Sequence, residues 1–153
     1  MRKIATTGIW KIEKRLDHVI DYTTNIEKTL NSDYGKETYY DLHNVIDYVE
    51  ADFKTEKQYY VSGVNCNVET AYEEMIITKQ QYNKTGGILG FHAFQSFAER
   101  EVTPEQAHLI GLKLAEEMWG DRFEVIVSTH LNTKHYHNHF VINSVSFKDG
   151  KRY

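Results

Sequence analysis

The 153-residue chain holds one cysteine, Cys66, and one proline, Pro104. A lone thiol excludes an internal disulfide and a cysteine-built zinc site, and it fits a reducing compartment; a cytoplasmic protein is expected. No apolar run reaches the roughly 20 residues that a bilayer span requires. Arg2 and Lys3 are not followed by an apolar stretch, so no signal peptide is read at the start. A basic surplus is missing too: 18 Lys and Arg stand against 22 Asp and Glu, a formal net charge of −4. That argues against nonspecific nucleic-acid binding through a broadly basic surface. It leaves room for a local groove, or for a metal that neutralises phosphate. The sequence contains no repeat, low-complexity segment or linker, and its length suits one domain, 1–153, with a core of its own.

What the chain does have is a cluster of histidines. Of eight in all, His130, His135, His137 and His139 fall within ten residues. Neutral imidazole is the commonest nitrogen ligand for a divalent metal. Val141, Ile142, Val145 and Phe147 predict a strand over 137–147, and the apolar run 123–130 predicts its neighbour, with 131–136 as the hairpin loop. Side chains two apart on a strand share a face, so His137 and His139 can lean onto one ion. His135 has the same parity, but three such residues in a row span about 13 Å. Metal–nitrogen distances near 2.1 Å require ligand atoms within roughly 4 Å of each other. The third ligand is better supplied by the neighbouring strand, from His130. The expected set is His130, His137 and His139, with His135 near the rim.

The rest of the chain reads as an alternation of helices and strands. Residues 1–10 hold a short edge strand. Leu16, Val19 and Ile20 mark a helix over 13–24, with Tyr22 near its end. A second helix is expected over 37–53 and a strand over 58–64. Helical spacing resumes over 68–82. A strand follows at 88–97, with His92, Phe94 and Ser96 on one face. Thr103, Pro104 and Gln106 form a strong helix start, and Gly120 ends that helix. The expected class is α+β: a two-layer sandwich, its central antiparallel sheet covered by helices on one face and holding the three-His metal site on the other.

Three neutral ligands leave an ion its full positive charge and open coordination positions, which suits polarising an anionic oxygen. Water activation or oxidation chemistry would use a similar set, so the histidines alone do not name the reaction. The order of motifs narrows it. His130, His137-Asn138-His139 and Asn143 resemble the metal motif of the relaxase, or mobilisation nuclease, family of conjugative plasmids and integrative elements, members of the His-hydrophobic-His nicking endonucleases. The segment 21–29, Asp-Tyr-Thr-Thr-Asn-Ile-Glu-Lys-Thr, is similar to that family's N-terminal segment around its nucleophilic tyrosine. The segment 91–97, Phe-His-Ala-Phe-Gln-Ser-Phe, is similar to its middle motif, in which a Ser touches DNA. The resemblance covers about 15–150. Two departures stand out: Asn132 occupies a position that often carries an acid, and the central residue of His137-Asn138-His139 is polar.

The resemblance implies a nick in single-stranded DNA at a transfer origin. Tyr22 attacks the scissile phosphate, giving a 5′-phosphotyrosine and a free 3′-hydroxyl, and the step is reversible. A phenol needs a base or a nearby cation to become an effective nucleophile. The metal is that cation, with His135 or His92 as candidates to assist with the proton. Tyr48, Tyr59 and Tyr82 are alternative nucleophiles. Ser96, Asn143, His92 and His135 are the candidate DNA-facing residues. Manganese or magnesium is expected in function, with zinc, nickel or cobalt acceptable to three imidazoles. Accessory transfer proteins are expected partners, and the chain is expected to be the N-terminal catalytic part of a longer protein. Competing readings are a three-His metalloenzyme that does not act on nucleic acid, a rolling-circle replication initiator, and a metal-stabilised binding module without catalysis.

Overall fold

The computed structural model describes residues 6–25 and 60–153. Their elements run β1 (Thr6–Ile12), α1 (Leu16–Thr23), β2 (Val61–Val64), α2 (Ala71–Gln81), β3 (Gly90–Ser96), α3 (Pro104–Trp119), β4 (Val125–His130) and β5 (His137–Asn143). The five strands form one sheet in the order β1-β3-β5-β4-β2. Every pairing is antiparallel. The expected helix over 37–53 lies outside the described residues. Among the described residues, no helix is long and apolar enough to cross a membrane.

The two central strands explain the layering. On β4, Val125, Ile126 and Val127 are fully buried. On β5, Phe140, Val141 and Ile142 are buried as well. Both strands are thus apolar on both parities, and each fully buried aliphatic or aromatic side chain contributes about 1.5–3 kcal/mol. One face, carrying Val125, Val127, Phe140 and Ile142, packs on Ala115 and Trp119 of α3. The other, carrying Ile126 and Val141, packs on Leu16 and Ile20 of α1 and on Ala71 and Met75 of α2. The α+β class and the central antiparallel sheet are as expected, and the three histidines do lie on the face opposite α3. That face also carries α1 and α2, because Ile126 and Val141 need cover that α3 cannot reach.

α3 begins as its sequence demands. The Thr103 hydroxyl accepts from the Gln106 amide, and the Gln106 side chain accepts from the Thr103 amide, a complete capping box behind Pro104. Its buried positions include Ala107, Gly111, Ala115 and Trp119, four residues apart. Three of these four are small, so the helix axis can sit close to the sheet. Gly111 shows how close: a Cβ there would lie 2.6 Å from Nδ2 of Asn138 on β5.

β5 ends at Asn143, short of the strand expected to reach 147. Beyond it the chain turns: the Ser146 hydroxyl accepts from the Lys148 and Asp149 amides, and Gly150 adopts φ +73°.

Candidate metal centre

β4 and β5 are joined by the 131–136 connection, and their register sets His130 directly opposite His137. His139 sits two residues further along, on the same face. The result is one cluster: a ligating nitrogen from each of His130, His137 and His139, all within 4.8 Å of one another. The closest rings are those of His130 and His139, with centroids 4.1 Å apart. An ion at ordinary metal–nitrogen distance would draw these atoms inward by about 1 Å. His130 and His139 are buried and His137 is half-buried, so the cluster opens on the His137 side.

Each imidazole is held through its other nitrogen. His130 Nε2 donates to the Thr23 carbonyl at 2.7 Å. His137 Nδ1 donates to the His135 carbonyl at 3.0 Å. His139 Nδ1 meets His92 Nε2 at 2.7 Å. A carbonyl only accepts, so in His130 and His137 the bonded nitrogen carries the proton, and the neutral ring keeps its lone pair on the opposite nitrogen. Burial lowers the pKa of His92, which favours its neutral form as an acceptor for His139. Metal-ligating histidines ordinarily carry such outer partners, which fix tautomer and ring orientation. The donor set and its supports therefore fit a divalent ion. Among the described residues no carboxylate joins the cluster, and Asn132 is exposed in the connecting loop.

α1 brings the tyrosine. Its buried positions Leu16, Ile20 and Thr23 follow helical spacing. Their packing turns Tyr22 toward the cluster, where its ring is edge-on to His130 at 5.9 Å and to His139 at 6.2 Å. The Thr23 carbonyl that holds His130 is among the last of the helix and has no partner within it. The negative end of the α1 dipole thus faces the place where a cation would sit. Tyr22 stays 52% exposed.

A buried polar network braces the histidine strands from behind. Thr129 and Asn138, paired across β4 and β5, point at α3. The Thr129 hydroxyl donates to Asn138 Oδ1 at 2.5 Å, and Asn138 Nδ2 donates to the Gln95 side chain and the Ala107 carbonyl. His108 on α3 closes it, with Nδ1 on Thr129 and Nε2 on Ser62. Burial drives the His108 pKa down to about 4, so this ring is neutral. The polar residue between His137 and His139 thus faces away from the metal side and anchors the strand.

Comparison with known proteins agrees with this geometry. The family model described as the nuclease domain of MobA/VirD2-like relaxases matches residues 48–153. The chain belongs to that relaxase family. It is 46% identical over 92 residues to a Staphylococcus aureus protein named rlx, an alignment covering 60% of this chain and 29% of that protein. It is also 31% identical over 166 aligned positions to the group II intron-interrupted relaxase LtrB of Lactococcus lactis subsp. cremoris, covering 92% of this chain and 29% of the relative. The chain thus spans less than a third of the length of these relatives.

In this relaxase domain the remaining candidates fall at different distances from the cluster. Ser96 is half-buried directly across from His137, and Phe94 pairs with His139. His92 touches His139. His135 is exposed in the 131–136 loop, its Nδ1 donating to the Phe97 carbonyl at 3.2 Å, so it is at the rim. Asn143 is not brought to the site. It shares the parity of His137 and His139 but is fully buried at the far end of β5, where its amide donates to Glu124 and the Met75 carbonyl and its oxygen accepts from Lys79. Tyr82 donates to the Phe147 carbonyl, and Tyr48 and Tyr59 lie outside the described residues. Two contributors escaped the sequence reading. The Thr23 carbonyl is backbone and carries no residue-type signal. Asn138 did leave one, a polar residue inside an apolar strand.

Proposed function

We propose that this domain nicks single-stranded DNA at the transfer origin of a mobile element, with Tyr22 as nucleophile and His130, His137 and His139 as ligands of a divalent metal. The observation that carries the reading is the edge-on approach of the Tyr22 ring to His130 and His139. When bound, the ion supplies positive charge against the scissile phosphate and the charge that develops on it. Manganese or magnesium is the working candidate.

In the reaction the Tyr22 Oη–phosphorus bond forms as the bond from phosphorus to the 3′ oxygen breaks. The phenol gives up its proton, and the departing 3′ oxygen gains one. The product is a 5′-phosphotyrosine beside a free 3′-hydroxyl, and the reverse step rejoins the strand. The chain's own task is alignment: the α1 end holds the tyrosine, and the outer hydrogen bonds hold the three rings. His92, committed to His139, is a positioning residue in this reading, and Ser96 faces the DNA. Accessory transfer proteins would deliver the origin in single-stranded form, in the cytoplasm of the donor cell.

The test is incubation of the protein with end-labelled single-stranded oligonucleotides of both origin strands, with Mn²⁺ or with chelator, resolved on a denaturing gel. Metal-dependent cutting at one position of one strand supports the proposal. A bound metal without cutting of either strand would favour a three-His enzyme acting on other substrates.

A further inference from the structure

On the metal-bearing face, the sheet continues past the cluster to β3 and then to the edge strand β1. Register sets Phe94 beside His139 and Gly8 beside Phe94, with Trp10 beside His92. Trp10 and Phe94 stack with ring centroids 5.2 Å apart and planes within 15° of parallel. The stack exists because position 8 has no side chain: a Cβ there would lie 2.5 Å from Phe94 Cε1. Trp10 is the larger of the chain's two exposures of indole, at 56%, while Trp119 is buried in the core. An indole left half in water on a flat edge strand costs burial energy that the fold could have recovered, and it presents a large aromatic surface.

We infer that the Trp10–Phe94 stack is a seat for an unpaired base of the DNA strand whose phosphate lies at the histidine cluster. The inference rests on the proposed nicking function and names the contact that would hold a flanking nucleotide. Two observations and one general property of single strands converge on it. The platform is continuous with the cluster through His92, which contacts the Trp10 ring at 6.0 Å between centroids and bonds to His139. β1 lies two strand spacings from β5, about 10 Å, so a strand held at the metal passes over it within a short run. And single-stranded nucleic acid is gripped by aromatic faces, which accept any base, whereas the paired bases of a duplex present no such face. With a net charge of −4, the chain has reason to take its affinity from stacking rather than from a broad basic surface.

The test uses fluorescence anisotropy of labelled single-stranded oligonucleotides carrying the origin sequence, with Mn²⁺ present. All proteins carry Tyr22→Phe so that no adduct accumulates. Trp10→Ala is expected to bind about 5- to 150-fold more weakly, the range for losing one base–aromatic stack. Trp10→Phe should keep most of the affinity. A scan of abasic substitutions should find a position where the parent loses affinity and Trp10→Ala loses nothing more. Metal affinity and the circular dichroism spectrum should be unchanged in Trp10→Ala, since the side chain is on the surface. If Trp10→Ala binds as tightly as the parent while the parent binds and the Tyr22 protein cuts, the base seat is wrong and the nicking function stands, and the patch would belong to a protein partner. If the parent binds no single-stranded oligonucleotide, both fall together.

Discussion

The Nε2 of His130 donates to the carbonyl of Thr23 at 2.7 Å, so the residue next to Tyr22 is tied directly to a metal-ligand candidate. One hydrogen bond couples the orientation of an imidazole to the end of the helix that carries the tyrosine. His130 is almost wholly buried, and Thr23 is wholly so. The bond is therefore shielded from competing water, and the two halves of the site are held in one geometry.

The outer partner of His139 should matter to metal affinity. His92→Phe keeps the ring's bulk and removes the nitrogen that faces His139. Isothermal titration with Mn²⁺ or Zn²⁺ should show affinity lowered by about 10- to 100-fold. Unchanged affinity would mean that His139 is oriented by packing alone.

The network behind the site should carry stability. Asn138→Leu keeps the branching and heavy-atom count of the side chain but removes the partner of the Thr129 hydroxyl hydrogen, the Gln95 side chain and the Ala107 carbonyl, and each buried group left unpaired costs about 1–3 kcal/mol. Urea unfolding should show a clearly lower midpoint at unchanged slope. Gly111→Ala should lower it as well, because its methyl would collide with the Asn138 amide. A midpoint within error of wild type for Asn138→Leu would contradict this role.

His108 predicts a pH dependence of definite sign. In the folded chain its pKa is lowered by burial from 6.5 to about 4. Between these values the unfolded chain binds a proton that the folded chain does not, so stability falls as pH falls from about 6.5 to about 4 and levels off below. The loss attributable to this group is on the order of 3 kcal/mol. His108→Gln, which can still bond Ser62 and Thr129, should lose less stability over that window than wild type in metal-free urea titrations at pH 7, 6 and 5. Parallel losses in the two proteins would assign the acid sensitivity elsewhere.

The histidine cluster was legible because strand parity is a hard geometric constraint. Two residues of spacing set His137 and His139 on one face, and the need for a compact ligand shell reached across the hairpin to His130. Thr103-Pro104-Gln106 was equally plain, since a capping box is local. Layering was less so: the apolar residues of both parities on β4 and β5 signal two covered faces, but nothing in α1 or α2 says which face it takes. Asn143 misled through the same parity argument that found the histidine cluster. Parity fixes the face and not the position along it, and Asn143 lies at the end that α2 closes over, held by Lys79 and Glu124. Val145 and Phe147 are apolar and so extend the strand pattern past Asn143, but Val145 is buried in an isolated bridge to Arg152 and Phe147 is exposed beyond the end of β5.

The most direct test of the account is the intact mass of the protein after reaction with a single-stranded origin oligonucleotide and Mn²⁺, wild type against Tyr22→Phe. A wild-type species heavier by the 3′-side fragment of the oligonucleotide, joined through its 5′ phosphate, is expected. None is expected for the variant, which should still bind metal and oligonucleotide. An adduct of the same mass on Tyr22→Phe would contradict the assignment of the nucleophile, and cutting by the variant without any adduct would contradict covalent catalysis by this tyrosine altogether.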